Sequence, residues 1–151
     1  MSLLNRPETM DFLLANICHL HYIRAHQLLE AIGLYRGQPP ALKALWEQEG
    51  LTQTELAKRL RITPATVTKM LQRMEKAGFI QRTSDAQDRR ITRVYLTEAG
   101  RAVQSRVENV WKTMEAETFT GFTPEERGTL RRFLLQMRGN LLKATGEEPW
   151  K

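Results

Sequence analysis

The sequence has almost no cysteine, no long apolar run and none of the short signatures of catalysis. Its 151 residues include one cysteine, Cys18, which excludes an intramolecular disulfide framework and a zinc site built from several thiolates. Charge or histidine interrupts every apolar stretch well short of the roughly 18 residues that a membrane span needs. Arg6, Glu8 and Asp11 break any signal-peptide core, so a soluble, cytoplasmic protein with no membrane partner is expected. Internal repeats and low-complexity tracts are missing from the sequence. So are G-x-S-x-G, the P-loop and the dinucleotide fingerprint. With no nucleophile that pairs with a base, the chain reads as a non-enzyme that needs no cofactor.

What is present is the composition of an ordinary globule, 41% apolar and 26% charged, in one domain or two small ones sharing a core. The net charge of +6 is unevenly spread. Residues 1–50 carry 4 basic and 5 acidic side chains, residues 51–100 carry 10 and 5, and residues 101–151 carry 9 and 7. A basic segment between two nearly balanced flanks suits an anionic partner, nucleic acid first among them.

Helical periodicity begins with Met10, Leu13, Leu14, Ile17, His21, Ala25, Leu28, Leu29 and Ile32. After Gly33 and Gly37, Pro39-Pro40 opens a second helix with Leu42, Leu45 and Trp46 on one face, and Gly50 ends it. Thr52-Gln53-Thr54-Glu55 is a capping box for a third helix. Thr63-Pro64 then starts a fourth, whose apolar side is Val67, Met70, Leu71 and Met74 and whose stop is Gly78. The period then changes. Ile80–Ser84 and Ile91–Leu96 are β-branched stretches around a charged turn, 85–90, and predict a hairpin. Thr97 caps a long fifth helix carrying Val103, Val107, Val110, Trp111 and Met114. Thr123-Pro124-Glu125-Glu126 opens a sixth, lined by Leu130, Phe133, Leu134, Met137 and Leu141.

Two short helices joined by Arg61-Ile62-Thr63 make a helix-turn-helix, and the hairpin after them makes it winged. The expected fold class is mainly α with a small β-hairpin wing: a winged helix-turn-helix plus a helical dimerisation region. The polar fourth helix fits a DNA major groove. Small residues at its start, such as Ala65, let the backbone approach base edges. Thr66 and Thr68 can hydrogen-bond bases, and Lys69 and Arg73 can reach bases or phosphates. Amides near Thr52 and Thr54 are placed to receive a phosphate. Double-stranded DNA is the expected partner. The competing reading is a winged-helix protein-interaction module that does not read DNA.

The segments Leu51–Ala57, Val67–Ile80, Asp85–Arg90, Leu96–Arg101 and Phe122–Arg127 resemble the MarR family of winged-helix transcription regulators. The likeness runs over about residues 10–145. It implies a DNA-binding transcriptional regulator, a homodimeric repressor that binds a near-palindromic operator and is released by a small effector. It also implies a helical dimerisation region over 1–36 and 98–145, a DNA-binding domain over 37–97, and a tail over 146–151. The family's wing reads Asp-x-Arg-Asp-x-Arg. Asp85, Asp88 and Arg90 match it, and Gln87 replaces the first arginine. By this resemblance Arg90 enters the minor groove, Asp88 orients it, and Arg89 can stand in for the missing cation. The resemblance further places a pocket for an aromatic or amphipathic effector near Tyr22, His26, Trp46 and Trp111, the two tryptophans being core residues first.

Cys18, His19, His21 and His26 share the first helix, but their spacing does not assemble a tetrahedral site without ligands from elsewhere, so no metal is expected. His21 falls on the apolar stripe as a core or interface histidine. The organic-hydroperoxide sensors of the family carry a reactive cysteine in this helix, and Tyr22 is four residues beyond Cys18. A sensing thiol needs solvent access and a cationic neighbour. Cys18 sits mid-helix, with Arg24 almost two turns away, so a buried, inert cysteine is expected, and a redox-sensing regulator is the alternative.

Overall fold

The computed structural model describes residues 9–149. Arg6, Glu8 and the rest of residues 1–8 of the expected 1–36 region, and the last two residues of the 146–151 tail, lie outside them. The chain is mainly helical with one small sheet. It divides into two compact units, one ending at Met114 and the other beginning at Glu115.

In the first unit, Thr9 caps α1 (Met10–Glu30) by accepting from the Phe12 amide. α2 (Gln38–Glu47) starts on its proline pair. β1 (Leu51–Thr52) leads directly into α3 (Gln53–Leu60), where both halves of the Thr52/Glu55 capping box form. α3 ends on Arg61, held at φ 53 in the left-handed region. α4 (Pro64–Lys76) follows, with Thr63 accepting from the Thr66 amide. Its stop is the αL glycine Gly78, beside which the Phe79 amide donates back to the Met74 carbonyl.

β2 (Ile80–Ser84) and β3 (Thr92–Leu96) form the antiparallel wing, with Arg82 opposite Val94. β1 pairs with the other edge of β3, giving the order β1-β3-β2. β1 is too short to show an alternating pattern, and the sequence reading missed it. The buried side chains Leu29, Leu45, Leu56, Leu71, Met74 and Val94 come from α1, α2, α3, α4 and β3. Each contributes roughly 1.5–3 kcal/mol by leaving water. That shared core fixes the winged unit as one body.

The long fifth helix is in fact two, α5 (Glu98–Ala102) and α6 (Gln104–Thr118). No glycine or proline marks the break at Val103, whose backbone stays right-handed at φ −74, ψ −12. Backbone bonds still run from Val103 N to Ala99 O and from Val107 N to Val103 O, both at 3.0 Å, and the first turn is held from several sides. The Gly100 amide donates to Thr97 Oγ1 and its carbonyl accepts from Trp46 Nε1 at 2.9 Å. Arg101 makes two bonds to the Glu49 carboxylate, at 2.8 and 3.0 Å.

In the second unit, Thr123 and Glu126 form the capping box of α7 (Pro124–Thr145), which Gly146 closes at φ 71. None of the α7 side chains is buried, and Phe133, Leu134 and Leu141 are exposed. The same holds for Met10, Leu13 and Ile17 in the first half of α1. Trp111, expected in the core, is 42% exposed, and His21 is exposed rather than part of a core. These apolar stripes have helical spacing, as expected, but only the C-terminal half of the α1 stripe meets the core.

Candidate nucleic-acid interface

The fourth helix presents two chemically distinct sides. Val67, Leu71 and Met74 are buried, whereas Ala65, Thr66, Lys69 and Arg73 are exposed. Thr63 Oγ1 and Thr66 Oγ1 lie 2.8 Å apart and share a hydrogen bond. Thr68 is partly exposed. Its hydroxyl donates to the Pro64 carbonyl at 3.0 Å and accepts from Gln53 Nε2 at 3.4 Å. At the start of α3, the Thr52 amide donates to Glu55 Oε2 at 2.9 Å and the Glu55 amide to Thr52 Oγ1 at 3.1 Å. The capping box thus occupies the Thr52 amide and sets a carboxylate beside it, while Thr54 is exposed. An incoming phosphate meets that carboxylate as well as the helix terminus.

The wing turn is organised by Asp85. Its Oδ1 accepts from Arg93 Nε at 2.6 Å, and its Oδ2 accepts from the amides of Gln87 and Asp88, both at 3.1 Å. The Arg93 bond, then the two amides, holds the Asp85 carboxyl below its ordinary pKa. Arg93 also donates to the Gly50 carbonyl at 2.9 Å, tying β3 to the segment before β1. Gln87 keeps its place in the turn through its backbone amide, so the missing arginine side chain does not undo the fold of the tip.

Asp88 in turn holds Arg90. Its Oδ1 accepts from Arg90 N at 3.1 Å and Nε at 3.2 Å, and its Oδ2 from Nη2 at 3.3 Å. The bond from the Arg90 side chain is the main cause of the lowered Asp88 pKa. Yet the Arg90 side chain is 92% exposed. A cation that is both oriented and open to solvent is a pre-set contact for an anion. Arg89 beside it is exposed as well.

A network that the sequence reading did not single out joins wing and helix. Glu75 on α4 accepts from the Arg82 amide at 2.9 Å and from Arg82 Nη2 at 3.1 Å. Arg82 Nη1 reaches Gln53 Oε1 at 3.5 Å, and Gln53 continues to Thr68. The available signal was an acid and a base on either side of the Gly78 stop, which hairpin formation brings together.

Of the four residues expected around an effector, only Trp46 lines the cleft described among these residues. The cleft, of about 310 Å³, is also lined by Leu45, Glu49, Leu96, Arg101 and Gln104. Tyr22, His26 and Trp111 are not among its walls. The Tyr22 ring lies under the Arg36 guanidinium, 4.0 Å from its centroid, and the His26 ring is 6.4 Å from that of Tyr35. Cys18 is exposed, which corrects the expectation of burial. No group of three or more His, Cys, Asp or Glu gathers as a metal site among the described residues, and no described helix is long and apolar enough to cross a membrane.

Residues 34–92 match the MarR family. An HTH-type transcriptional regulator, TtmR of Methylorubrum extorquens, is 31% identical over 147 residues, covering 93% of this chain and 73% of that protein. The Staphylococcus aureus MepR–DNA complex superposes with a TM-score of 0.70 at 30% identity, covering 87% of this chain and 98% of that one. The structure of Bordetella bronchiseptica BpsR, whose DNA binding is described as regulated by 6-hydroxynicotinic acid, gives a TM-score of 0.68 at 26% identity over 87% of this chain and 94% of that one. The winged unit, its polar helix and the matching relatives together place this chain in the MarR family of DNA-binding, winged-helix transcriptional regulators.

Proposed function

We propose that the protein is a homodimeric repressor of a near-palindromic operator, released by a small effector. In this reading residues 37–97 form the DNA-binding domain, and residues 1–36 and 98–145 the dimerisation region. α4 lies in the major groove, with Ala65, Thr66, Thr68, Lys69 and Arg73 towards the bases and flanking phosphates. Thr52 and Thr54 approach the backbone, and Arg90, oriented by Asp88 and flanked by Arg89, enters the minor groove. The observation that carries the reading is Arg90, 92% exposed yet bonded through backbone and side chain to Asp88. An exposed ion pair adds little stability, so its ordering serves contact rather than folding.

Dimerisation is supported by the apolar side chains left uncovered on α1 and, separately, on α7. Large exposed apolar surface marks an association site. Release is supported by the ligand-regulated BpsR, and Tyr22 and His26, with Arg36 and Tyr35 beside them, offer rings and a cation to an aromatic acid. Occupying an operator within a promoter excludes polymerase, hence repression. Footprinting on a duplex selected from a randomised pool tests the geometry. The expected result is two half-sites about one helical turn apart, or ~34 Å; protection of one half-site alone contradicts it. For the effector, affinity must differ between free and operator-bound protein by the factor it imposes on operator binding. Equal titrations with and without DNA contradict release.

A further inference from the structure

The hydrogen-bond inventory around Thr68 goes a step further than groove binding, and rests on α4 being the reading helix. Arg82 has donors only, so the oxygen end of the Gln53 amide must face it. That leaves Gln53 Nε2 directed at Thr68, which accepts at 3.4 Å. Arg82 is in turn fixed by its two bonds to Glu75. The Thr68 hydroxyl has a single proton, and that proton goes to the Pro64 carbonyl, an acceptor only, at 3.0 Å. Both neighbours therefore agree on one arrangement: the hydroxyl is turned back towards its own helix and α3, with no proton left for a base. Guanine O6 and N7 and thymine O4 are acceptors and need one.

The hydroxyl keeps one lone pair, which could accept only from an adenine or cytosine amino group, and the γ-methyl is the group left for an apolar contact. In the major groove the apolar feature that distinguishes one base is the thymine C5-methyl. We propose that Thr68 reads thymine through methyl–methyl contact, its hydroxyl being spent on holding the side chain in one rotamer. This differs from the expectation, on sequence alone, of a hydrogen bond from Thr68 to a base.

The test uses the full chain and a duplex selected from a randomised pool by the wild-type protein. Each thymine of one half-site is replaced in turn by deoxyuridine, which removes only the methyl, and affinity is read by fluorescence anisotropy. One position is expected to lose about fourfold in affinity, the equivalent of one buried methyl. The thymine-to-uracil ratio at that position is expected to persist in Thr68→Val, which keeps a γ-methyl and lacks the hydroxyl. It is expected to fall to about one in Thr68→Ser, which keeps the hydroxyl and lacks the methyl. The inference is overturned if no uracil substitution matters, or if Thr68→Ser retains the ratio and Thr68→Val loses it. Failure of the wild-type chain to retain any duplex would instead overturn the groove-binding reading beneath it. Circular dichroism of both variants separates misfolding from lost contact, and an Arg90→Ala protein, altered on the wing, should keep the uracil-sensitive position.

Discussion

At the scale of single residues, exposure and order come apart in ways that sequence cannot show. Arg90 and Asp88 were legible as a charged turn, and the resemblance supplied their roles, but only geometry shows Arg90 held by three bonds while open to water. Arg90→Ala is expected to weaken operator binding and to reduce the log–log salt slope by about one unit per half-site, since one phosphate-proximal cation is lost. Titrations at several salt concentrations check this; an unchanged slope removes the wing from the contact. In the sequence Gly100 stands out only as part of the Leu96–Arg101 segment that resembles the family. Its hydrogen occupies space where a Cβ would overlap the Phe79 carbonyl oxygen, a backbone atom that cannot turn aside. Gly100→Ala is expected to cost about 2–3 kcal/mol in urea denaturation, with the Trp46–Gly100 bond disturbed as well. Cys18 went the other way. Its mid-helix position suggested burial, but nothing in local spacing reveals which stretch of α1 meets the core.

Elements were legible wherever a cap or a stop was written into the chain. Thr52/Glu55, Thr63-Pro64 and Thr123/Glu126 start helices where expected, and Gly78 ends one. The two-residue β1 was not legible, because it is imposed by β3, a partner distant in sequence, and neither were the contacts of Trp46 and Glu49 with α5. The Glu75–Arg82 link between α4 and β2 belongs to the same class. Arg82 holds the Glu75 carboxyl below its ordinary pKa, first through its side chain and then through its amide. A carboxyl whose pKa is depressed by folding stabilises the fold above its unfolded pKa. That contribution is lost as pH falls through the folded value. Wild type is therefore expected to lose stability more steeply than Glu75→Gln between about pH 5 and about pH 3. Urea midpoints across that range check this, and parallel curves would show that the link contributes no pH dependence.

At the scale of the whole molecule, the segregation of charge into residues 51–100 pointed to DNA before any element was assigned. The apolar stripes of α1 and α7 were equally visible, but whether they close within one chain or between two was not. The N-terminal half of the α1 stripe and, separately, the α7 stripe are exposed. Ile17→Glu, at a residue 55% exposed, is expected to leave the fold intact by circular dichroism and to shift the sedimenting species towards monomer, with operator affinity falling alongside. The most direct test of the account as a whole is the binding stoichiometry and salt dependence of the wild-type chain on one duplex carrying its selected site. Two chains per duplex are predicted, with log affinity falling against log salt at a slope of about −5 or steeper, as expected for six or so neutralised phosphates. One chain per duplex, or binding indifferent to salt, would contradict it.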